Sequence, residues 1–206
     1  MNAEQNIDII KAMIAKVEET KDELTELDNA IGDGDHGINL ARGFQAVGEK
    51  IDALAAMDVG AQMKAVGMTL VSTVGGASGP LYGTGFMKLG AALKGQTEVS
   101  DEDFIRAFGS MIEGIKMRGK STAGEKTMLD ALCPAYDALS EAHGEGRELK
   151  ECLAHAVEAA KKGVEYTKTI PATKGRASYL GERSIGHQDP GATSALYLME
   201  AIASAL

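Results

Sequence analysis

The sequence predicts an all-α protein, a closed and mostly antiparallel barrel or bundle of eight helices built from residues 1–206 as a single domain. Three observations predict it. Apolar residues recur at helical spacing almost from end to end, and no stretch alternates convincingly as a strand would. Aromatics make up only 4% of the chain, with no Trp, so Ala, Leu, Ile and Met must fill the core, which suits packed helices better than sheets. At 206 residues and 44% hydrophobic, the chain is large enough for a sizeable core.

Each element follows from its spacing. Ile7, Ile10, Ile14 and Val17 mark a first helix, and Leu40, Phe44, Val47, Ile51 and Leu54 a second. Met63, Val66, Leu70 and Val74 mark a third. Leu81, Phe86, Leu89 and Leu93 mark a fourth that stops at Lys94-Gly95, a good C-terminal signal. Ser100-x-x-Asp103 resembles a capping box and opens a fifth helix through Phe104, Phe108, Met111, Ile112 and Ile115, ending near Arg118-Gly119. A sixth runs through Met128, Leu129, Leu132, Tyr136 and Leu139 to His143-Gly144, where Pro134 predicts a kink or a start nearer Leu132. A seventh carries Leu149, Leu153, Val157, Ala160 and Val164. The eighth begins at Asp189-Pro190, Asp as N-cap and Pro at the first helical position, and runs to the end.

The net charge of −9 argues against nucleic acid as a partner, because phosphate backbones select Lys and Arg footprints. The cysteines Cys133 and Cys152 sit in apolar helical contexts and read as reduced core thiols of a cytoplasmic protein. The N-terminus carries neither the basic nor the apolar region of a secretion signal. No run of 18 apolar residues exists, so no membrane span is expected.

Glycines gather in segments between the helical patterns: 32–37, 75–85, 118–127 and 175–191. Loops on a helical scaffold are where a site is built. The first is the most acidic, D-N-A-I-G-D-G-D-H-G over residues 28–37. Gly32-x-Gly34-x-x-Gly37 matches the dinucleotide fingerprint only formally: a helical pattern precedes it where a strand is needed, and Asp33 and Asp35 would face the pyrophosphate. An EF-hand starting at Asp33 would need Gly at Ile38 and Glu at Phe44. One Asp could cap the helix starting near His36, but three at close range repel one another. The remaining reading is a hard-metal site. Asp28, Asp33 and Asp35 offer oxygen ligands suited to Mg²⁺, Ca²⁺ or Mn²⁺, and together they hold enough charge for two divalent ions whose surplus would bind a polyphosphate. G-G-A-S-G-P, with Ser78 ahead of a helix, reads either as an anion nest or as a tight helix–helix turn. Lys174 and Arg176 read as solvated charges or, beside a phosphate, as its partners.

Four motifs in order then resemble one family. D-N-A-I-G-D-G-D-H-G-I-N, G-G-A-S-G-P-L-Y-G-T, M-R-G-K with K-T-M-L-D, and R-A-S-Y-L-G-E-R-S-I-G-H-Q-D-P-G-A are similar to the nucleotide-binding L-subunit family of the dihydroxyacetone kinases, over nearly the whole chain. The resemblance implies an eight-helix antiparallel barrel with a nucleotide at one rim. It implies that Asp28, Asp33 and Asp35 ligate two Mg²⁺ ions. It places His36, Gly37, Ile38 and Asn39 near the nucleotide or its phosphates, and Ala77 and Ser78 on phosphate. Gly119 and Met128 would line the adenine side, and Arg176 with Asp189, Pro190 and Gly191 would close the site. No residue is expected as nucleophile or general base, and His36 is not expected to carry the phosphoryl group.

The family has two branches. In one the domain is fused behind a substrate domain and consumes ATP. In the other it stands alone and keeps ADP bound as a coenzyme. A phosphohistidine on the M subunit of the phosphotransferase system recharges that ADP, and the phosphoryl group passes to dihydroxyacetone on the K subunit. A chain of this length starting at Met1 favours the second branch. Such subunits can also signal to a transcriptional regulator, which the acidic surface could contact.

Overall fold

Asn2 opens the longest helix. Its side chain accepts the Gln5 N–H while Gln5 accepts the Asn2 N–H, a reciprocal capping box. The computed structural model describes residues 1–206 and is helical throughout. The α-helices are α1 (Ala3–Ile31), α2 (His36–Gly48), α3 (Ile51–Ala55), α4 (Val59–Thr73), α5 (Ser78–Ala92), α6 (Asp101–Gly119), α7 (Leu129–Gly144), α8 (Leu149–Thr167) and α9 (Pro190–Ala205). A 3-10 segment, Arg176–Ser184, lies between α8 and α9. No helix is long and apolar enough to cross a membrane.

The eight long helices form a closed ring. α1 packs on α2, α2 on α4, and each later helix on the next, until α9 closes against α1. The short α3 packs against α1 and α4 outside that sequence. The shared core of 47 buried residues includes Ile10, Met13, Phe44, Leu70, Leu129 and Leu153, with Phe44 and Phe86 edge to face at 6.5 Å. The eight-helix barrel expected from the periodicity is the observed fold.

Small residues set how close the staves come. On α4 and α5, a Cβ at Gly67 would lie 2.5 Å from the Gly83 carbonyl oxygen, and one at Gly90 would lie 2.5 Å from that of Gly60. The two backbones touch there, and no side chain fits between them. α7 continues through Pro134, having begun at Leu129, so the later start does not occur. Pro134 has no N–H for the Asp130 carbonyl four residues back. Gly163 of α8 packs against that carbonyl, and a Cβ at Gly163 would lie 1.9 Å from its oxygen.

Three elements differ from the sequence expectation. The second predicted helix breaks at Glu49–Lys50, giving α2 and the five-residue α3. The Ser100 side chain accepts the Asp103 N–H, but Asp103 bonds the Ser100 hydroxyl and not its N–H, so half of the box forms. α1 runs to Ile31, which puts Asp28 in its last turn and not in a loop.

In an up-and-down ring, alternate connections emerge at the same end. Segments 32–35, 74–77, 120–128 and 168–189 therefore share one rim, and these are the glycine-rich segments of the sequence.

Candidate nucleotide and metal site

Asp28 projects from the last turn of α1 toward the start of α2. Its Oδ2 accepts the backbone N–H groups of Asp35 at 2.9 Å and His36 at 3.1 Å. Asp35 occupies the N-cap position of α2 but makes no side-chain cap bond, so Asp28 caps that helix from the neighbouring stave. Gly32 leaves room for Asp28 Oδ1, because a Cβ there would sit 2.0 Å from it. Gly34 takes φ +71, the left-handed region, and a Cβ there would meet Asn29 Oδ1 at 1.9 Å. This packing brings one carboxylate oxygen each from Asp28, Asp33 and Asp35 within 4.8 Å of one another. One cation answers them directly: Arg176 Nε lies 2.7 Å from Asp33 Oδ2. Three converging carboxylates with a single, largely exposed guanidinium beside them fit hard divalent cations with oxygen ligands.

His36, the first residue of α2, is buried between two hydroxyls. Nδ1 is 3.0 Å from Ser78 Oγ and Nε2 is 2.9 Å from Ser194 Oγ. Ser194 donates to the Gly191 carbonyl at 3.0 Å and lies 2.7 Å from the Tyr82 hydroxyl. If Ser194 spends its proton on Gly191, it must accept from His36, which fixes the Nε2–H tautomer and leaves Nδ1 to accept from Ser78. Burial pushes the imidazole pKa below its ordinary value, against the opposing pull of Asp28 and Asp35. His36 thus ties the acidic turn, the start of α5 and the start of α9 together.

The far wall comes from the other two loops. Asp189 N-caps α9, its Oδ2 accepting the Ala192 N–H at 2.7 Å. Burial is the largest influence on its carboxyl, which is pushed up to about 7. The Ala192 N–H and Lys126 oppose that rise, while Asp130 and Asp28 add to it. Asp130 holds the opposite loop by accepting the N–H groups of Gly124 and Thr127. Lys174 bridges to the Lys120 carbonyl at 2.7 Å and lies 3.5 Å from Glu125.

These groups line one cleft of about 500 Å³. It is bordered by Asp28, Asp33, Asp35, His36, Asn39, Ala77 and Ser78, and also by Gly119, Met128, Arg176, Asp189, Pro190 and Gly191. Two expected neighbours are not among its lining residues. Gly37 is buried against α1, where a Cβ would lie 2.0 Å from the Lys21 carbonyl oxygen, and Ile38 is 52% exposed in a groove formed with Ile14, Glu18 and Arg42. Lys126 lines the cleft too; the sequence includes it as the first residue of the K-T-M-L-D motif but assigns it no role.

A closed helical barrel with an acidic turn and glycine-rich loops converging on one rim is the architecture of this chain. The chain belongs to the DAK2 domain family, whose model matches residues 30–204. It is 45% identical over 182 residues to the ADP-binding subunit of the PEP-dependent dihydroxyacetone kinase of Escherichia coli (strain K12), covering 88% of this chain and 87% of that one. It is 46% identical over 187 residues to the corresponding subunit of kinase 1 of Listeria innocua, covering 91% and 88%. The crystal structure of the dihydroxyacetone kinase from C. freundii in complex with AMP-PNP and Mg²⁺ superposes with a TM-score of 0.71 at 24% identity. That match covers 97% of this chain and 33% of the other, and shows the likeness of fold.

Proposed function

We propose that this chain is the nucleotide-carrying subunit of a phosphoenolpyruvate-dependent dihydroxyacetone kinase, with residues 1–206 acting as one nucleotide-binding domain. The observation that carries the reading is the single cleft in which the three carboxylates face the glycine-rich start of α5. Identities of 45% and 46% to ADP-binding subunits favour this branch over the fused, ATP-consuming one.

In this reading Asp28, Asp33 and Asp35 hold two Mg²⁺ ions. When bound there, Mg²⁺ would supply positive charge that offsets the negative charge of a polyphosphate during phosphoryl transfer. The chain's own groups position and neutralise. Main-chain N–H groups around Ala77 and Ser78 hold phosphate at the start of α5, and Arg176 supplies a bidentate donor. His36 fixes the Ser78 hydroxyl. Asn39, whose Oδ1 accepts from Arg42 at 2.7 Å, borders the phosphate side with Gly37 and Ile38 behind it. Gly119 and Met128 face the base, and Asp189-Pro190-Gly191 closes the cleft. No side chain here acts as nucleophile or general base, so the phosphoryl group rides on the nucleotide. ADP then serves as a resident coenzyme, recharged by a phosphohistidine M subunit. Dihydroxyacetone sits on a K subunit, and a transcriptional regulator is a further partner of the acidic cytoplasmic surface.

The test is to dialyse the purified protein extensively in Mg²⁺, denature it, and identify released nucleotide by mass spectrometry. Stoichiometric ADP is expected. An initially empty site that takes up and releases ATP quickly would replace this reading with the ATP-consuming one.

A further inference from the structure

Lys126 stands apart from the chain's other cations. It is 1% exposed, and its backbone takes φ +60, one of two non-glycine residues at positive φ. An L-residue enters this region at a cost, so the surrounding structure must hold it there. Its three ammonium protons meet three acceptors, all main-chain carbonyls: Thr167, His187 and, at 3.4 Å, Ile170. None of the three is a carboxylate, so no direct ion pair offsets the desolvation of this charge.

The acceptors are placed tellingly. Thr167 is the last residue of α8, so the ammonium meets a carbonyl left free at a helix C-terminus, the end that favours positive charge. The Thr167 hydroxyl in turn accepts the Asp189 N–H at 3.0 Å. Ile170 begins the arm that leads to Arg176, and His187 lies two residues before Asp189. Lys126 itself lies two residues before Met128. One ammonium therefore joins three strips of the far wall: the loop carrying Met128, the exit of α8, and the turn carrying Asp189, Pro190 and Gly191.

We propose that Lys126 is a positioning residue for the nucleotide, a buried strut that holds the base-side loop and the closing turn at the spacing the ligand needs. The inference rests on the nucleotide reading above. None of its three bonds touches residues 28–37, and the arm it holds meets the acidic turn only through the exposed Arg176–Asp33 pair. Loss of the strut should therefore loosen nucleotide while leaving divalent-cation binding intact.

The experiment is Lys126→Met, with release of a fluorescent ADP analogue measured in Mg²⁺ and Mn²⁺ binding measured by electron paramagnetic resonance. ADP release should accelerate about tenfold or more, within the 5–150-fold range usual for coupled elements. Mn²⁺ affinity without nucleotide should stay within about twofold of wild type. A merely structural lysine would raise the unfolded fraction and leave the release rate of folded, loaded protein unchanged. A folded variant with wild-type release overturns the proposal.

If the variant does not fold, the wild-type protein decides. Linkage requires that ADP strengthen the Lys126 contacts by the factor they contribute to its binding. In ¹⁵N-lysine-labelled protein, proton exchange at Lys126 Nζ should then slow about tenfold when ADP and Mg²⁺ are added, and unchanged exchange overturns the strut. A wild-type protein that binds no ADP defeats both this inference and the functional reading. ADP held equally well by both proteins defeats this one alone.

Discussion

Asp28 carries two separable tasks, and substitutions at that residue should part them. Its carboxylate caps α2 through the Asp35 and His36 N–H groups, and it supplies one of the three converging oxygens. Asp28→Ala removes both. Losing a helix cap typically costs about 1 kcal/mol, and here two largely buried donors lose a charged acceptor, so about 2 kcal/mol is expected before relief of repulsion from Asp33 and Asp35 is subtracted. In a chain of this size that corresponds to roughly 4–8 °C in Tm. Asp28→Asn keeps an oxygen for the N–H groups and removes only the charge, so its cost should stay below about 1 kcal/mol. Urea unfolding in EDTA measures the structural task, and calorimetric titration with Mg²⁺ and ADP measures the other. Both variants should lose Mg²⁺-dependent ADP binding, while only the alanine variant loses substantial stability. Equal destabilisation by both would refute the capping argument. Wild-type Mg²⁺-dependent binding in Asp28→Asn would refute the metal assignment.

Two further outcomes follow from packing and burial. Gly163→Ala drives a methyl to 1.9 Å from the Asp130 carbonyl oxygen; separating α7 from α8 should cost about 1–3 kcal/mol in urea unfolding, and an unchanged midpoint would show that the helices slide apart freely. Burial pushes Asp189 up to about 7 from 3.8. Between those values the folded state keeps a proton that the unfolded chain has released, so this group makes wild-type stability fall as pH rises from about 4 to about 7. Asp189→Asn keeps an equally good N-cap and cannot ionise. In EDTA, its stability should gain on wild type across that window and run parallel above it; curves parallel throughout would contradict the buried carboxyl.

The barrel was legible because ring closure needs only amphipathic helices joined by short connections, and both are local properties. What escaped was settled by partners far along the chain. The sequence expectation marks the apolar stripe of α1 only as far as Val17, whereas Leu24 and Ile31 continue it with Asp28 between them. A carboxylate on a buried stripe looks like the end of a helix until its acceptors' partners, seven and eight residues onward, are known. The convergence of Asp28, Asp33 and Asp35 is legible because like charges crowded in sequence need a counter-charge wherever the backbone runs. Lys126 gave no such signal: a lone lysine among Ser, Thr and Gly costs nothing in solvent. Its burial depends on carbonyls 41, 44 and 61 residues away, and the bridge from His36 to Ser194 spans 158. The acidic side of the cleft is thus a local motif, whereas its far wall exists only once α8 and α9 have docked. Folding should therefore form the acidic turn early and complete the far wall of the cleft last, since loop-closure entropy is met before such distant contacts are gained.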